Sequence, residues 1–315
     1  MARSGIVRID RFATGQGYAE AGYSSPVATI ARELIAEGER RLRRSPAIDH
    51  WPRSRERDEA TILVALCLGV EADDLDEDAE VDGRRARRYR TLIRRRAGGE
   101  PMAHLLGWTE FRGLRLRVRP GAFVPRQSSE FTVEQALRRL RGRARPVAVD
   151  LATGIGPIAL GLAAGAPNAE VHGTDISADA IRQARRNAAA LTLRNVRFHV
   201  GDMFAPLPPR LRGAIDVLTA HVPYVPHPEL RDLPLEVRGF EPEHTLTDYT
   251  ETGLSLVERA AGEGPGWLRP GGWILLEVSP DFARGVRGLL LRAGYRDVRS
   301  TKGWPEVTRV LVGRR

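Results

Sequence analysis

Residues 147–160 read Val-Ala-Val-Asp-Leu-Ala-Thr-Gly-Ile-Gly-Pro-Ile-Ala-Leu. The order is a buried strand, a glycine turn and the start of a helix. Gly154 and Gly156 let the backbone come close to a ligand with no Cβ in the way. A second apolar strand, 169–174, runs into Asp175, which lies 19 residues beyond Gly156. An acid at the tip of the next strand at about that distance is placed to hold a ribose diol, as in nucleotide-binding α/β folds. The expected ligand is therefore an adenosine compound.

Working outward, strands are expected at 147–151, 169–174, 196–200, 214–220, 272–279, 295–299 and 307–313, and helices at 157–164, 177–190, 253–262 and 281–293. Such alternation implies a mostly parallel sheet covered on both faces. The last two strands are joined by only 300–306, so they pair antiparallel. The expected fold is α/β, a class I methyltransferase (Rossmann-like) sheet of seven strands. That arrangement favours S-adenosylmethionine over a dinucleotide.

Upstream, 25–99 reads as a helical domain. Ile30, Leu34 and Ile35 share one face, Ile62, Leu63, Leu66 and Val70 another, and Tyr89, Leu92 and Ile93 mark a third helix among arginines. The acidic stretch 71–82 reads as a solvated loop. A β-hairpin linker is expected over 100–124, with 105–108 leading into it, Leu114, Leu116 and Val118 alternating, and Gly113 at the turn. Residues 125–315 are expected to form the cofactor-binding catalytic domain. Residues 1–24 lack periodicity and read as an extension.

The chain has 315 residues, of which 42% are hydrophobic, enough for two domains with a full core. No apolar run reaches membrane-span length, and the first residues lack a signal-peptide apolar region, so a cytoplasmic location is expected. The lone Cys67 sits in an apolar run and excludes an internal disulfide or a cysteine-cluster metal site; no metal is expected. The net charge is +9, carried by arginine, with Lys302 the only lysine. The arginine runs at 40–44, 84–96 and 138–145 fit solvated helix faces. They also fit an RNA or an acidic partner, but no aromatic residues are interleaved with them.

Three strand ends carry candidate chemistry. Asp175 is a ribose ligand or, more plainly, a helix N-cap. Asp202, in Gly-Asp-Met-Phe after the third strand, can accept from an adenine amino group between Met203 and Phe204, or is a turn acid beside a core phenylalanine. His221, in His-Val-Pro-Tyr after the fourth strand, is a base, a donor or a satisfied loop histidine. Asn187 reads as structural.

These residues together resemble the HemK (PrmC) family of protein-(glutamine-N5) methyltransferases. The resemblance spans 26–315 and takes in 107–114, 118–126 with Ser129 and Glu130, 150–156, 175–177, 201–204, 240–246, 253–254, 270–277 and the final hairpin. It implies S-adenosylmethionine as cofactor. It also implies a methionine-side loop of Ala152, Thr153, Gly154 and Gly156, ribose at Asp175 with Ile176 beside it, and adenine at Asp202 and Met203. Phe123 and Arg126 would close the pocket, and His221, Pro223 and Tyr224 would shape the reacting face.

The chain departs from the family where the substrate would lie. The family's Asn-Pro-Pro-Tyr is His221-Val222-Pro223-Tyr224, its first loop glycine is Ala152, and its late Gly-Gly is 248–252. In the family it resembles, the asparagine and a backbone carbonyl of the motif orient a glutamine amide, whereas an imidazole offers at most one acceptor. The resulting expectation is displacement at a sulfonium carbon on a small-molecule natural product, with aromatic substrates suited to stacking on Tyr224. The step would be methyl transfer or a cyclopropane-forming cyclisation releasing S-adenosylhomocysteine, beside a partner radical S-adenosylmethionine enzyme. The alternatives are glutamine methylation of a peptide-chain release factor and a non-catalytic binding module.

Overall fold

The computed structural model describes residues 29–50, 54–302 and 308–315. The expected extension at 1–24 lies outside them. Three helices, α1 (Ala31–Arg43), α2 (Arg55–Leu68) and α3 (Gly83–Ala97), pack around Leu34, Ile35, Leu63, Tyr89 and Ile93. The buried face of α2 is Ala60, Leu63, Val64 and Cys67; Ile62 and Leu66 are half-buried and Val70 is exposed, which corrects the expected face. Asp82 caps α3, its carboxylate accepting from the Arg84 and Arg85 amides, and arginines fill the last turn, where the helix dipole favours cations. The acidic stretch before it is not all loop. It ends in β2 (Glu80–Val81), which pairs with β1 (Thr29–Ile30) and buries Val81.

Next comes α4 (Met102–Leu106), so Leu105 is helical rather than extended. The hairpin proper is β3 (Trp108–Phe111) and β4 (Leu114–Arg117), joined by Arg112 and Gly113, both at positive φ as a two-residue turn requires. A helix not expected from the pattern, α5 (Ser129–Leu140), follows.

The sheet uses β5 (Val147–Leu151), β6 (Glu170–Asp175), β7 (Val196–Val200), β8 (Ile215–Ala220), β9 (Leu268–Val278), β10 (Arg296–Lys302) and β11 (Arg309–Arg314), in the order β10-β11-β9-β8-β5-β6-β7. Only β11 runs antiparallel to its neighbours. This is the class I methyltransferase sheet. Its intervening helices are α6 (Pro157–Gly165), α7 (Ala178–Ala190), α8 (Leu235–Arg238), α9 (Ser255–Trp267) and α10 (Ala283–Arg292). Val133, Leu160 and Ile181 pack one face of the sheet; Val257, Trp267 and Leu290 pack the other. The strand order reverses between β5 and β8, which opens a crevice at their carboxyl ends.

The helical bundle meets the catalytic half through ions. Arg96 of α3 is fully buried. Its guanidinium pairs with Glu59 at 2.6 Å and with Glu236 of α8 at 2.9 Å. Arg55 bridges the same two carboxylates at 2.9 and 3.0 Å.

Candidate cofactor and active site

The crevice is a cavity of about 1500 Å³. Around it lie Phe123, Arg126, Ala152, Gly154, Asp175, Ile176, Asp202, Met203, His221, Pro223 and Tyr224, brought together from the carboxyl ends of β5, β6, β7 and β8 and the segment before α5. Thr153 is buried and lines a small pocket that shares Arg126, Gly154 and His221 with the large one. Gly156 lines neither. It turns the chain into α6 at φ +91°, with Phe198 only 3.0 Å from where a Cβ would sit.

The loop after β5 is held from beneath. Thr153 and Thr219 donate to the two oxygens of Asp150, at 2.6 and 2.8 Å. Burial pushes the Asp150 carboxyl up to about 7, against these hydroxyl bonds. Asp175 clips the loop from the side. Its Oδ2 accepts from the Gly154 amide and its Oδ1 from the Ser177 amide, both at 2.8 Å. Burial raises its pKa, and the two amide bonds lower it. A Cβ built on Gly154 meets nothing within 4 Å, so the loop backbone borders open space. Asn187 is structural: it accepts from the Arg117 amide at 3.0 Å and donates to the Ile155 carbonyl at 3.3 Å, tying the hairpin to the loop.

After β7, Asp202 accepts both of its ion-pair bonds from Arg259, at 2.9 and 3.1 Å, and stays half exposed. Met203 lines the cavity, but Phe204 does not. It stacks on Trp267 in the core at 5.6 Å, so the expected Met–Phe sandwich does not form.

After β8, the His221 ring stacks on Tyr224 at 5.7 Å and meets the edge of Phe123 at 6.0 Å. The loop is fixed by Val225 donating to Leu246 and His227 to Thr250, each at 2.9 Å. Burial lowers the His221 pKa most; Glu277 opposes this and Arg126 adds to it, so the imidazole is neutral near pH 7. Burial pushes the Tyr224 hydroxyl up to about 12.

Several residues without an assigned role in the sequence reading complete the site. Ser129 Oγ lies 3.2 Å from His221 Nδ1, and Glu277 Oε2 lies 4.0 Å from the same nitrogen. Arg126 covers the Phe123 ring at 4.4 Å and pairs with buried Glu241 at 2.7 Å. Asp248 accepts from Ser255 and Thr250 and organises the late loop, whose Tyr249 has φ +62°. Ser129, Glu241 and Glu277 lie inside quoted motif segments, but only folding connects them to His221 and Arg126.

A family model described as "PrmC N-terminal domain" matches residues 33–107, and one described as "Methyltransferase domain" matches 145–249. A release factor glutamine methyltransferase of Bordetella pertussis is 41% identical over 225 residues, 71% of this chain and 82% of that one. The enzyme of the same name from Burkholderia pseudomallei is 36% identical over 267 residues, 81% and 91% of the two chains. Among solved structures, a methyltransferase from Pyrococcus furiosus is similar with a TM-score of 0.46 at 19% identity, covering 64% of this chain and 89% of that one. With a family model matching each of its helical and sheet portions, and relatives 36–41% identical over most of their own length, the chain belongs to the HemK/PrmC family of S-adenosylmethionine-dependent methyltransferases.

Proposed function

We propose that this enzyme methylates the side-chain nitrogen of a glutamine in a peptide-chain release factor. The observation that carries the reading is the 41% identity to a release factor glutamine methyltransferase across 82% of that protein's length. The natural-product substrate, the cyclopropane-forming step and the radical partner enzyme rested on the departures at His221, Ala152 and 248–252, and these relatives lend them no support. Among the described residues no helix is long and apolar enough to cross a membrane.

The residues present fit the cofactor. The bare backbone at Gly154 leaves room for the methionine end of the ligand. Asp175 keeps lone pairs free for the ribose hydroxyls, although each oxygen already accepts one amide bond. Ile176, 68% exposed at the cavity wall, offers an apolar surface to adenine, and Met203 lines the same cavity. When bound, S-adenosylmethionine supplies an electrophilic methyl group on a cationic sulfur.

His221, Pro223 and Tyr224 border the remaining space, where a glutamine side chain would enter. An amide nitrogen is a weak nucleophile, and aiming its lone pair is most of the work. His221, held neutral by burial, accepts the proton that the nitrogen loses. The balance is one N–C bond formed, one S–C bond broken with its pair retained by sulfur, and one proton transferred to the imidazole.

The test is incubation with labelled S-adenosylmethionine and an intact release factor, followed by mass spectrometry of the Gly-Gly-Gln peptide. A mass gain of one methyl on the glutamine is expected. An unmodified glutamine alongside labelling of a small-molecule arm of the assay would overturn the substrate assignment.

A further inference from the structure

Glu277 is a buried carboxylate that the reaction as described leaves idle. It sits near the end of β9, its side chain wholly inaccessible. Its two oxygens accept from Ser128 at 3.1 Å and Thr132 at 2.6 Å, both from the α5 region. Among the described residues its one ion-pair contact is His221. An ionised carboxylate in a dry interior is costly unless hydrogen bonded and paired, so its placement beside a neutral imidazole calls for a physical account.

We infer that Glu277 and Ser129 are positioning residues that keep the His221 proton on Nδ1 and leave the Nε2 lone pair free to receive a proton at the reacting face. Both groups address the same ring nitrogen. Ser129 Oγ lies 3.2 Å from Nδ1 and, with the proton held there, would act as its acceptor. The carboxylate at 4.0 Å favours a hydrogen, rather than a lone pair, on the nitrogen nearest it. Nε2 has no hydrogen-bond partner among the described residues. The stacked Tyr224 and the edge of Phe123 hold the ring plane. The charged and titratable groups facing the ring are Glu277 from β9, Arg126 from the segment before α5 and Tyr224 from its own loop. Once Nε2 has taken the amide proton, the imidazolium lies beside Glu277, which offsets the new charge. An imidazole with a fixed tautomer thereby supplies the single acceptor that a carboxamide oxygen would otherwise provide. The inference rests on the placement of His221 at the reacting face proposed above.

The test uses the full-length protein with ¹⁵N-labelled imidazoles, His221→Asn identifying the resonance. The expected spectrum is a neutral ring protonated at Nδ1. In Glu277→Gln the ring should titrate about one pH unit lower and lose part of that preference, and Ser129→Ala should weaken it without abolishing folding. An Nε2-protonated ring in the wild type, or unchanged titration and tautomer in Glu277→Gln, would overturn the assignment. Should Glu277→Gln fail to fold, the wild-type and Ser129→Ala spectra decide. These spectra need no substrate, so an unmethylated release factor would sink the substrate reading separately. Where turnover is measured, Glu277→Gln should lower kcat with little change in KM for S-adenosylmethionine, and should cost nothing further in a His221→Asn background. An equal loss in both backgrounds marks a merely structural role.

Discussion

Ala152 occupies the left-handed region at φ +51°, where an L-residue pays about 1–2 kcal/mol that glycine does not. Glycine costs part of that back through the entropy of the unfolded chain. Ala152→Gly should therefore stabilise the protein by up to about 1 kcal/mol, read from urea denaturation. Asp175→Ala should weaken S-adenosylmethionine binding by one or two hydrogen bonds, each on the order of 1 kcal/mol, in calorimetry. It also frees the Gly154 amide, so a loss somewhat above that figure fits the observed clip. The glycine loop and Asp175 were legible in the sequence because one strand, one turn and a fixed spacing define them. Glu277 and Ser129 were not. Ser129 lies 92 positions from His221 along the chain, and nothing local in either segment signals the contact.

At the scale of elements, the four strands from β5 to β8 were read within a residue, because burial on both faces leaves apolar runs bounded by polar turns. By contrast, β9 begins at Leu268, four residues before the expected start, and β10 runs three residues past its expected end. The α5 helix was missed. Its buried positions include Ser129, Thr132 and Gln135, which blur the apolar stripe that marks a surface helix. The same polar face presents Thr132 to Glu277, so the feature that hid the helix belongs to the site.

The first residue of β6, Glu170, shows how one strand edge should respond to acid. Its bond from Arg210, with that from His172, holds the carboxyl at about 2, well below the usual range, against the opposing effect of partial burial. A depressed folded pKa contributes stability that is full above the ordinary carboxylate value and is lost as pH falls toward 2. The stability gap between wild type and Glu170→Gln should thus be present at pH 6 and close between about pH 4.5 and pH 2, as urea curves across that range would record.

The loop after β8 is equally specific in its support. A Cβ at Gly253 would lie 2.3 Å from the Tyr224 carbonyl oxygen, and Gly253 has φ +66°. Gly253→Ala should displace the His221–Tyr224 loop and reduce kcat by roughly tenfold to a hundredfold, with S-adenosylmethionine affinity largely kept, measured by kinetics and calorimetry together.

Across the whole molecule, a chain with a net charge of +9 uses two arginines, Arg55 and Arg96, to hold its two halves together. Glu236→Gln would leave Arg96 with Glu59 as its remaining carboxylate. The loss should fall below the ~3–5 kcal/mol of a fully severed buried pair, yet be measurable by denaturation. α8 lies in the stretch that contributes Leu233, Val237 and His244 to the cavity wall, so turnover should fall as well. The domain boundaries at 99–100 and 124–125 remain proposals. The ionic weld could not be read from the hydrophobic pattern, since Arg96 and Glu236 each resemble an ordinary surface residue in sequence.

That weld makes the bundle a poor candidate for exchange. A chimera joining these three helices to the sheet half of a relative would need a carboxylate at the position of Glu236. Without one, Arg55 and Arg96 would share Glu59 alone at the seam, and the two halves would dock more weakly than they do here.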